Sequence, residues 1–250
     1  MILAIARREL RSLFLSPLAW TILAVVEFIL AWLFLSQLQT YLDWAPRLAG
    51  IEDAPGVTDL VVAPVLGNAA VVLLLVVPLI TMRTLAEERR ARTLTLLFSS
   101  PISMTQIVLG KYLGLLGFFT LMLLVIALIP LSLLLGIHLD LGKLAAGLLG
   151  LELILGAFAA IGLFISCLTS QPGVAAVGTF GALLLLWILD WAGAADTRAS
   201  GLMHYLSLLR HYESLLKGLF SSTDVAYYLL VIVTFLVLAV QRLDAQRLPH

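Results

Sequence analysis

Cysteine is almost missing from this chain. Cys167 is the only one, which excludes an internal disulfide and a cysteine-cluster metal site. It falls in an apolar segment and reads as a small buried residue rather than a reactive thiol. Charge is scarce too: 12% of the 250 residues are Asp, Glu, Lys or Arg, and they cancel to a net charge of zero. That leaves no general signal for nucleic acid or another polyanion. The phosphate loop G-x-x-x-x-G-K-[ST] is absent. Gly110-Lys111 lacks the upstream glycine and is followed by Tyr112, so the chain does not hold ATP in that way. There is no H-E-x-x-H. The histidines (His138, His204, His211 and His250) have no metal-ligand company. His204 and His211, seven residues apart, read as the wet side of an amphipathic helix. Ser166 has no histidine at its depth in the apolar segment, which argues against an intramembrane serine protease. No catalytic residue, bound cofactor or metal site is expected on this chain, which reads as non-enzymatic.

Apolar residues are abundant. They make up 62% of the chain, and the mean hydropathy is +1.09. A core of this size cannot hide that much apolar surface, so the expected solvent is lipid. Six apolar segments, each near the ~20 residues a span needs, are expected at about 18–40, 61–82, 106–135, 144–168, 173–191 and 225–243. The expected fold is all-α and polytopic, one transmembrane domain over 1–250. Pro64 and Pro78 would loosen the two ends of the second span, and Pro130 the outer end of the third. The TSQPG at 169–173 is a natural turn.

Residues 1–16 precede the first span. Leu3, Ala6, Leu10, Leu13 and Phe14 recur at helical spacing, with Arg7, Arg8 and Arg11 on another side. This is the pattern of an in-plane interfacial helix anchored by its arginines to anionic headgroups. The apolar run behind it is too long for a signal h-region and lacks a small-residue cleavage site, so it reads as a retained span. With the N-terminus inside, ten of the fifteen basic residues fall in cytoplasmic segments, which favours both termini inside. Trp20 and Tyr112 would mark the inner interface, and Tyr41, Trp44, Trp187 and Trp191 the outer one. The external segment 192–224 places Leu202, Leu206, Leu209, Tyr212, Leu216 and Leu219 at helical spacing. It reads as an interfacial or re-entrant helical hairpin.

Two carboxylates sit inside predicted spans, Glu27 in the first and Glu152 in the fourth. A charge there is costly unless it is paired, protonated or facing water. Glu27 reads either as a polar point on a substrate path or helix interface, or as a protonated carboxyl bonded to a neighbouring helix. Glu152 reads as facing an outer vestibule. A proton-coupled secondary transporter using both is one functional reading.

The other reading starts from 83–105, a charged amphipathic elbow between two spans. Glu87 and Glu88 stand three and four residues before Arg90 and Arg92, spacings that suit ion pairs along a helix. Leu94, Leu97 and Phe98 form an apolar ridge. Ser99-Ser100-Pro101 ends the helix, and Ser103 is placed to cap the next one. A bare connector needs only a few residues, so this elbow reads as a docking surface.

The run EERRARTLTLLFSSPISMTQIVLGKYLG resembles the signature of ABC type-2 exporter permeases. The matching residues are Glu87, Glu88, Thr93, Leu94, Leu96, Leu97, Ser100, Pro101, Gly110 and Lys111, together with the Arg8-Glu9-Leu10 step. The small size and the 192–224 segment are most similar to the gliding-motility GldF-type branch, with NosY-type permeases as more distant relatives. The resemblance implies that the elbow is a coupling helix, with Arg89, Arg90 and Arg92 beside the ridge, docking on a separate nucleotide-binding subunit. It implies two such ATPases carrying ATP and Mg, a second permease copy or homologue, an auxiliary membrane protein with an external domain, and a bacterial inner membrane. Arg92 stands where a glycine is usual and Thr95 where an acid is usual. This elbow is therefore more basic than the family pattern, and the partner groove should carry compensating acids.

Overall fold

The structure, a computed structural model, describes residues 1–48, 55–91, 102–195 and 207–247. Every regular element among them is helical. In chain order these are α1 (Ile2–Leu15), α2 (Pro17–Leu48), α3 (Ala63–Thr81), α4 (Ala86–Arg90), α5 (Met104–Leu131), α6 (Leu141–Leu168), α7 (Pro172–Ala195), α8 (Leu208–Leu216) and α9 (Ser222–Arg247). A π-helical turn, Thr58–Val62, leads into α3, and a 3-10 turn, Ser132–Leu135, continues α5 just beyond Pro130. Among the described residues, five stretches are long and apolar enough to cross a membrane: Pro17–Arg47, Thr58–Arg90, Met104–Leu135, Leu141–Leu168 and Ser222–Gln246. Pro172–Ile188 is a shorter apolar helix. This is the pattern of a multi-pass membrane protein.

Helix α6 is the axis of the bundle and touches α3, α5, α7, α8 and α9. Its composition allows this. Gly147, Gly150, Gly156, Ala157, Ala159, Ala160 and Gly162 are all buried, and small residues let helix backbones approach where no hydrophobic effect drives association. Its first turn is capped by Asp140, whose Oδ1 accepts from Gly142 N at 2.9 Å and Lys143 N at 3.1 Å. Lys143 bonds Asp59 at 2.8 Å and so ties this end to the turn before α3. At the other end α6 stops at Leu168, and Pro172 opens α7, as proline suits a first helical turn. Cys167 is fully buried, its thiol against Leu163 O at 3.2 Å.

Helix α1 is seated on α5. Ile5, Leu10, Leu13 and Phe14 pack on the core, whereas Leu3, expected on the apolar side, is 78% exposed. The apolar stripe is therefore turned toward Ile5. Arg7, Arg8 and Arg11 are exposed on the opposite side. Ser16 has extended backbone (φ −81, ψ 128) and breaks α1 from α2, as a residue before proline tends to. Tyr112 is not an interfacial marker. It is buried, and its hydroxyl donates to Gly156 O at 3.3 Å.

Helix α8 corrects the expected register of the external segment. The side it buries is Leu208, His211, Tyr212 and Leu215, one residue back from the expected Leu209, Tyr212, Leu216 line; Leu202 and Leu206 lie outside the described residues. The cause is tertiary: Gly150 of α6 leaves space for Leu215 and Tyr212, which would lie 3.0 and 3.1 Å from a Cβ there, and the Tyr212 hydroxyl donates to Leu66 O at 2.9 Å. Burial pushes the Tyr212 phenol pKa up, so it stays a neutral donor. His211 is 7% exposed rather than wet. Its Nδ1 lies 2.7 Å from Asp224 Oδ1, and its ring stacks on Tyr227 with centroids 4.1 Å apart. Ser214 donates to the other oxygen of Asp224. These bonds clasp α8 to the start of α9. His204 lies outside the described residues.

Candidate functional site: the elbow and its seat

The elbow is held by α5, α6 and α9 and by the junction between α1 and α2. Helix α4 is only five residues long, and its N-cap, Leu85, offers no side-chain cap. The first N–H groups of any helix lack intrahelical partners. Here α6 supplies the acceptor: Ser166 Oγ receives Leu85 N at 3.2 Å and Ala86 N at 2.9 Å, and lies 3.4 Å from Met82 O. Leu85, Ala86 and Ser166 are all buried. Replacing Ser166 by alanine would leave two buried amides without an acceptor. We expect a loss of about 2–4 kcal/mol from such unsatisfied donors, read as a lower unfolding midpoint in detergent. Unchanged stability would show that this cap carries little.

The second attachment is Lys111 on α5, only 2% exposed. Its Nζ donates to Glu9 Oε2 of α1 at 3.2 Å, to Glu88 Oε1 of α4 at 2.9 Å, and to Thr84 O at 2.8 Å. An ammonium has three protons and no acceptor, so this set uses all of them. A buried charge is tolerated when it is paired and hydrogen-bonded in this way. Glycines bring α1 close enough to take part. A Cβ on Gly110 would lie 2.6 Å from Ile5 Cβ, and one on Gly114 2.7 Å from Glu9 Cβ. The first turn of α5 is set by Ser103, at its expected cap position: Ser103 Oγ accepts from Gln106 N at 3.3 Å and Gln106 Oε1 accepts from Ser103 N at 3.4 Å, a reciprocal capping box.

The remaining attachments are peripheral. Arg83 pairs with Glu87 at 2.9 Å one helical turn on, and its guanidinium reaches Ser16 Oγ at 3.4 Å. Arg89 donates to Gln246 near the end of α9. Arg90 is exposed. A cleft of about 800 Å³ is lined by Arg89, Arg90 and residues 170–174 of the α6–α7 turn, so both connectors at this end share one polar face. A second cleft, about 290 Å³, separates α1 from α4 and includes Arg8, Glu9, Arg83, Glu87, Glu88 and Lys111 in its lining.

The expected pairing of the elbow acids is revised on one point. Glu87 bonds backward to Arg83 rather than forward to Arg90, because the turn after α3 brings Arg83 alongside it. Arg92, Leu94, Leu97, Phe98 and Pro101 lie outside the described residues. The two intramembrane acids have different surroundings. Glu152 on α6 accepts from Thr120 Oγ1 of α5 at 2.8 Å and so bridges two helices. Glu27 on α2 has its Oε1 buried without a hydrogen-bond partner among the described residues. No group of three metal-ligating side chains occurs among the described residues.

The sequence did not reveal the Ser166 cap or the Glu9–Lys111–Glu88 cluster. The only signal for the cluster was that Arg8-Glu9-Leu10 and Gly110-Lys111 both belong to the quoted signature. Their 102-residue separation hid the contact. In comparisons with known proteins, the profile described as ABC-2 family transporter protein matches residues 48–192, more than half of the chain. No curated protein matches it.

Proposed function

The chain belongs to the ABC-2 transporter family, and from that premise we propose that it is the permease subunit of an ATP-driven exporter whose elbow receives force from a separate nucleotide-binding subunit. Membership in that family makes it a transmembrane component that associates with ABC ATPase subunits and a membrane-embedded partner. The observation that carries the coupling reading is the seating of α4. One short helix is bonded to α5 through Glu88, to α6 through Leu85 and Ala86, and to α9 through Arg89. A displacement of that helix is delivered to three long helices at once, which is what rigid-body rocking of packed spans requires.

In the full proposal the shorter helix α7 is a sixth span, both termini are cytoplasmic, and the membrane is a bacterial inner membrane. Helix α1 lies in the inner interface with Arg7, Arg8 and Arg11 toward headgroups, and 192–224 is external. Two permease copies, or this chain and a homologue, sit on two ATPases that bind ATP and Mg. Leu94, Leu97 and Phe98 fill the ATPase groove, beside Arg89, Arg90 and Arg92 and ahead of the stop at Pro101. The branch is the GldF type, with NosY-type permeases further off, and the complex either moves a substrate or pulls on an auxiliary protein with an external domain. A secondary transporter worked by Glu27 and Glu152 is the lesser reading. Glu27's unsatisfied oxygen favours it, but Glu152 is engaged by Thr120, and that reading leaves the elbow unexplained.

Purification of the tagged chain from its native membrane in mild detergent tests the proposal. A P-loop ATPase is expected to co-purify and to turn over ATP faster with the permease than without it. A chain that purifies without any ATPase, and whose transport collapses with the proton gradient, would favour the lesser reading.

A further inference from the structure

We propose that Lys111 is a positioning residue that locks α1 to the elbow, so that α1, α4 and the start of α5 move as one body. The inference rests on the reading of 83–105 as the coupling elbow and extends it to the N-terminal helix. Helix α1 and helix α4 face each other across the cleft of about 290 Å³. Lys111 spans its floor, with Glu9 of α1 on one side and Glu88 and Thr84 of the elbow on the other. Among the described residues, bonds from the elbow also lead through Ser166 to α6, through Gln246 to α9, and from Arg83 to the α1–α2 junction at 3.4 Å.

Two features make this bridge stiff. Every Nζ proton has an acceptor, and Lys111 itself is only 2% exposed. The α1–α5 contact is also too close to slide. Gly110 faces Ile5 and the Ile2 carbonyl, and Gly114 faces Glu9 and the Ala6 carbonyl, with no room for a methyl group. An elbow displaced by its partner therefore carries α1 with it. The amphipathic helix becomes an output of the stroke, and its exposed Arg7, Arg8 and Arg11 move against whatever surface they touch.

The test measures the α1–elbow distance by pulsed EPR on the full chain in lipid nanodiscs. Spin labels are placed at Ala4→Cys and Ala91→Cys, both exposed, on a Cys167→Ala background. The chain is measured alone and with its co-purified ATPase, nucleotide-free and trapped with ATP. A single narrow distance that does not change with nucleotide is expected. Lys111→Met removes the cation that Glu9 and Glu88 share and can unfold the chain. Glu9→Ala is the decisive variant, because it leaves Lys111 with Glu88 and Thr84. It is expected to broaden the distance distribution and to keep the ATPase bound. Permease-stimulated turnover should fall about tenfold, the size of an ordinary coupling energy between sites. A wild-type distance that shifts with nucleotide, or a Glu9→Ala chain with the same narrow distance and full stimulation, overturns the inference. Loss of the coupling reading itself has a different signature: no ATPase on the wild-type chain, with the distance in the chain alone still deciding whether the clamp exists.

Discussion

Replacing Leu94, Leu97 and Phe98 together by aspartate is expected to abolish co-purification of the ATPase while leaving the membrane fold intact. Full burial of one large apolar side chain contributes about 1.5–3 kcal/mol, so three of them account for roughly 5–9 kcal/mol of the proposed docking. The aspartates also place three carboxylates against a groove that the basic elbow predicts to be acidic, and like charges in close apposition disfavour a partner further. A fall in affinity of more than about a thousandfold follows from roughly 4 kcal/mol of that loss alone. Pull-down of the variant chain from detergent extracts checks it, with the thermal midpoint of the permease as the control for folding. A variant that still captured the ATPase and stimulated it normally would remove these three residues from the docking surface.

Gly162→Val is expected to have the largest effect on the fold itself. A Cβ at Gly162 would lie 2.3 Å from Thr81 Oγ1 and 2.7 Å from Thr81 Cβ. Thr81 cannot swing aside. It is fully buried at the end of α3, its hydroxyl donates to Val77 O at 2.9 Å, and turning about χ1 would leave its Cβ in place at 2.7 Å. The two helices must therefore part where Ser166, one turn further along α6, holds the elbow amides. Overpacking of this kind costs about 1–3 kcal/mol for small additions and more for larger ones, so we expect at least about 3 kcal/mol for valine and loss of ATPase stimulation with it. Gly162→Ala should be milder and partly rescued by Thr81→Ala, which removes the nearest atom. Additive effects in that pair would show that the contact is not the cause. Unfolding in detergent, followed by tryptophan fluorescence, reads both.

The fold was largely legible because a bilayer leaves few options for backbone polar groups. Apolar runs of span length had to be helices, and Ser103, Ser16-Pro17 and the TSQPG turn marked boundaries that the structure keeps. What stayed hidden needed a neighbour. The α8 side could not be assigned from its own periodicity, because Leu208 and Leu209 are equally apolar and Gly150 of another helix selects between them. His211 looked like a solvated residue until Asp224, thirteen positions on, appeared beside it. Ser166 looked inert for catalysis, which was a fair reading of the residue alone. Its role as an acceptor depends on two amides eighty positions away. The elbow was recognised by its charge pattern, whereas its seat is built from contacts that no local pattern encodes.

The seating of α1 on α5 also sets an order of events during synthesis. Glu9 leaves the ribosome 102 residues ahead of Lys111. At about 5–20 residues per second that gap is roughly 5–20 s. Throughout it the first helix exists without its berth, and its carboxylate without its cation. Translocation machinery can thread α2 and α3 before α1 has anywhere to dock, so the N-terminal helix is added to a nearly half-built bundle rather than serving as its foundation. Slowing or pausing translation just before Gly110 would lengthen this orphan period.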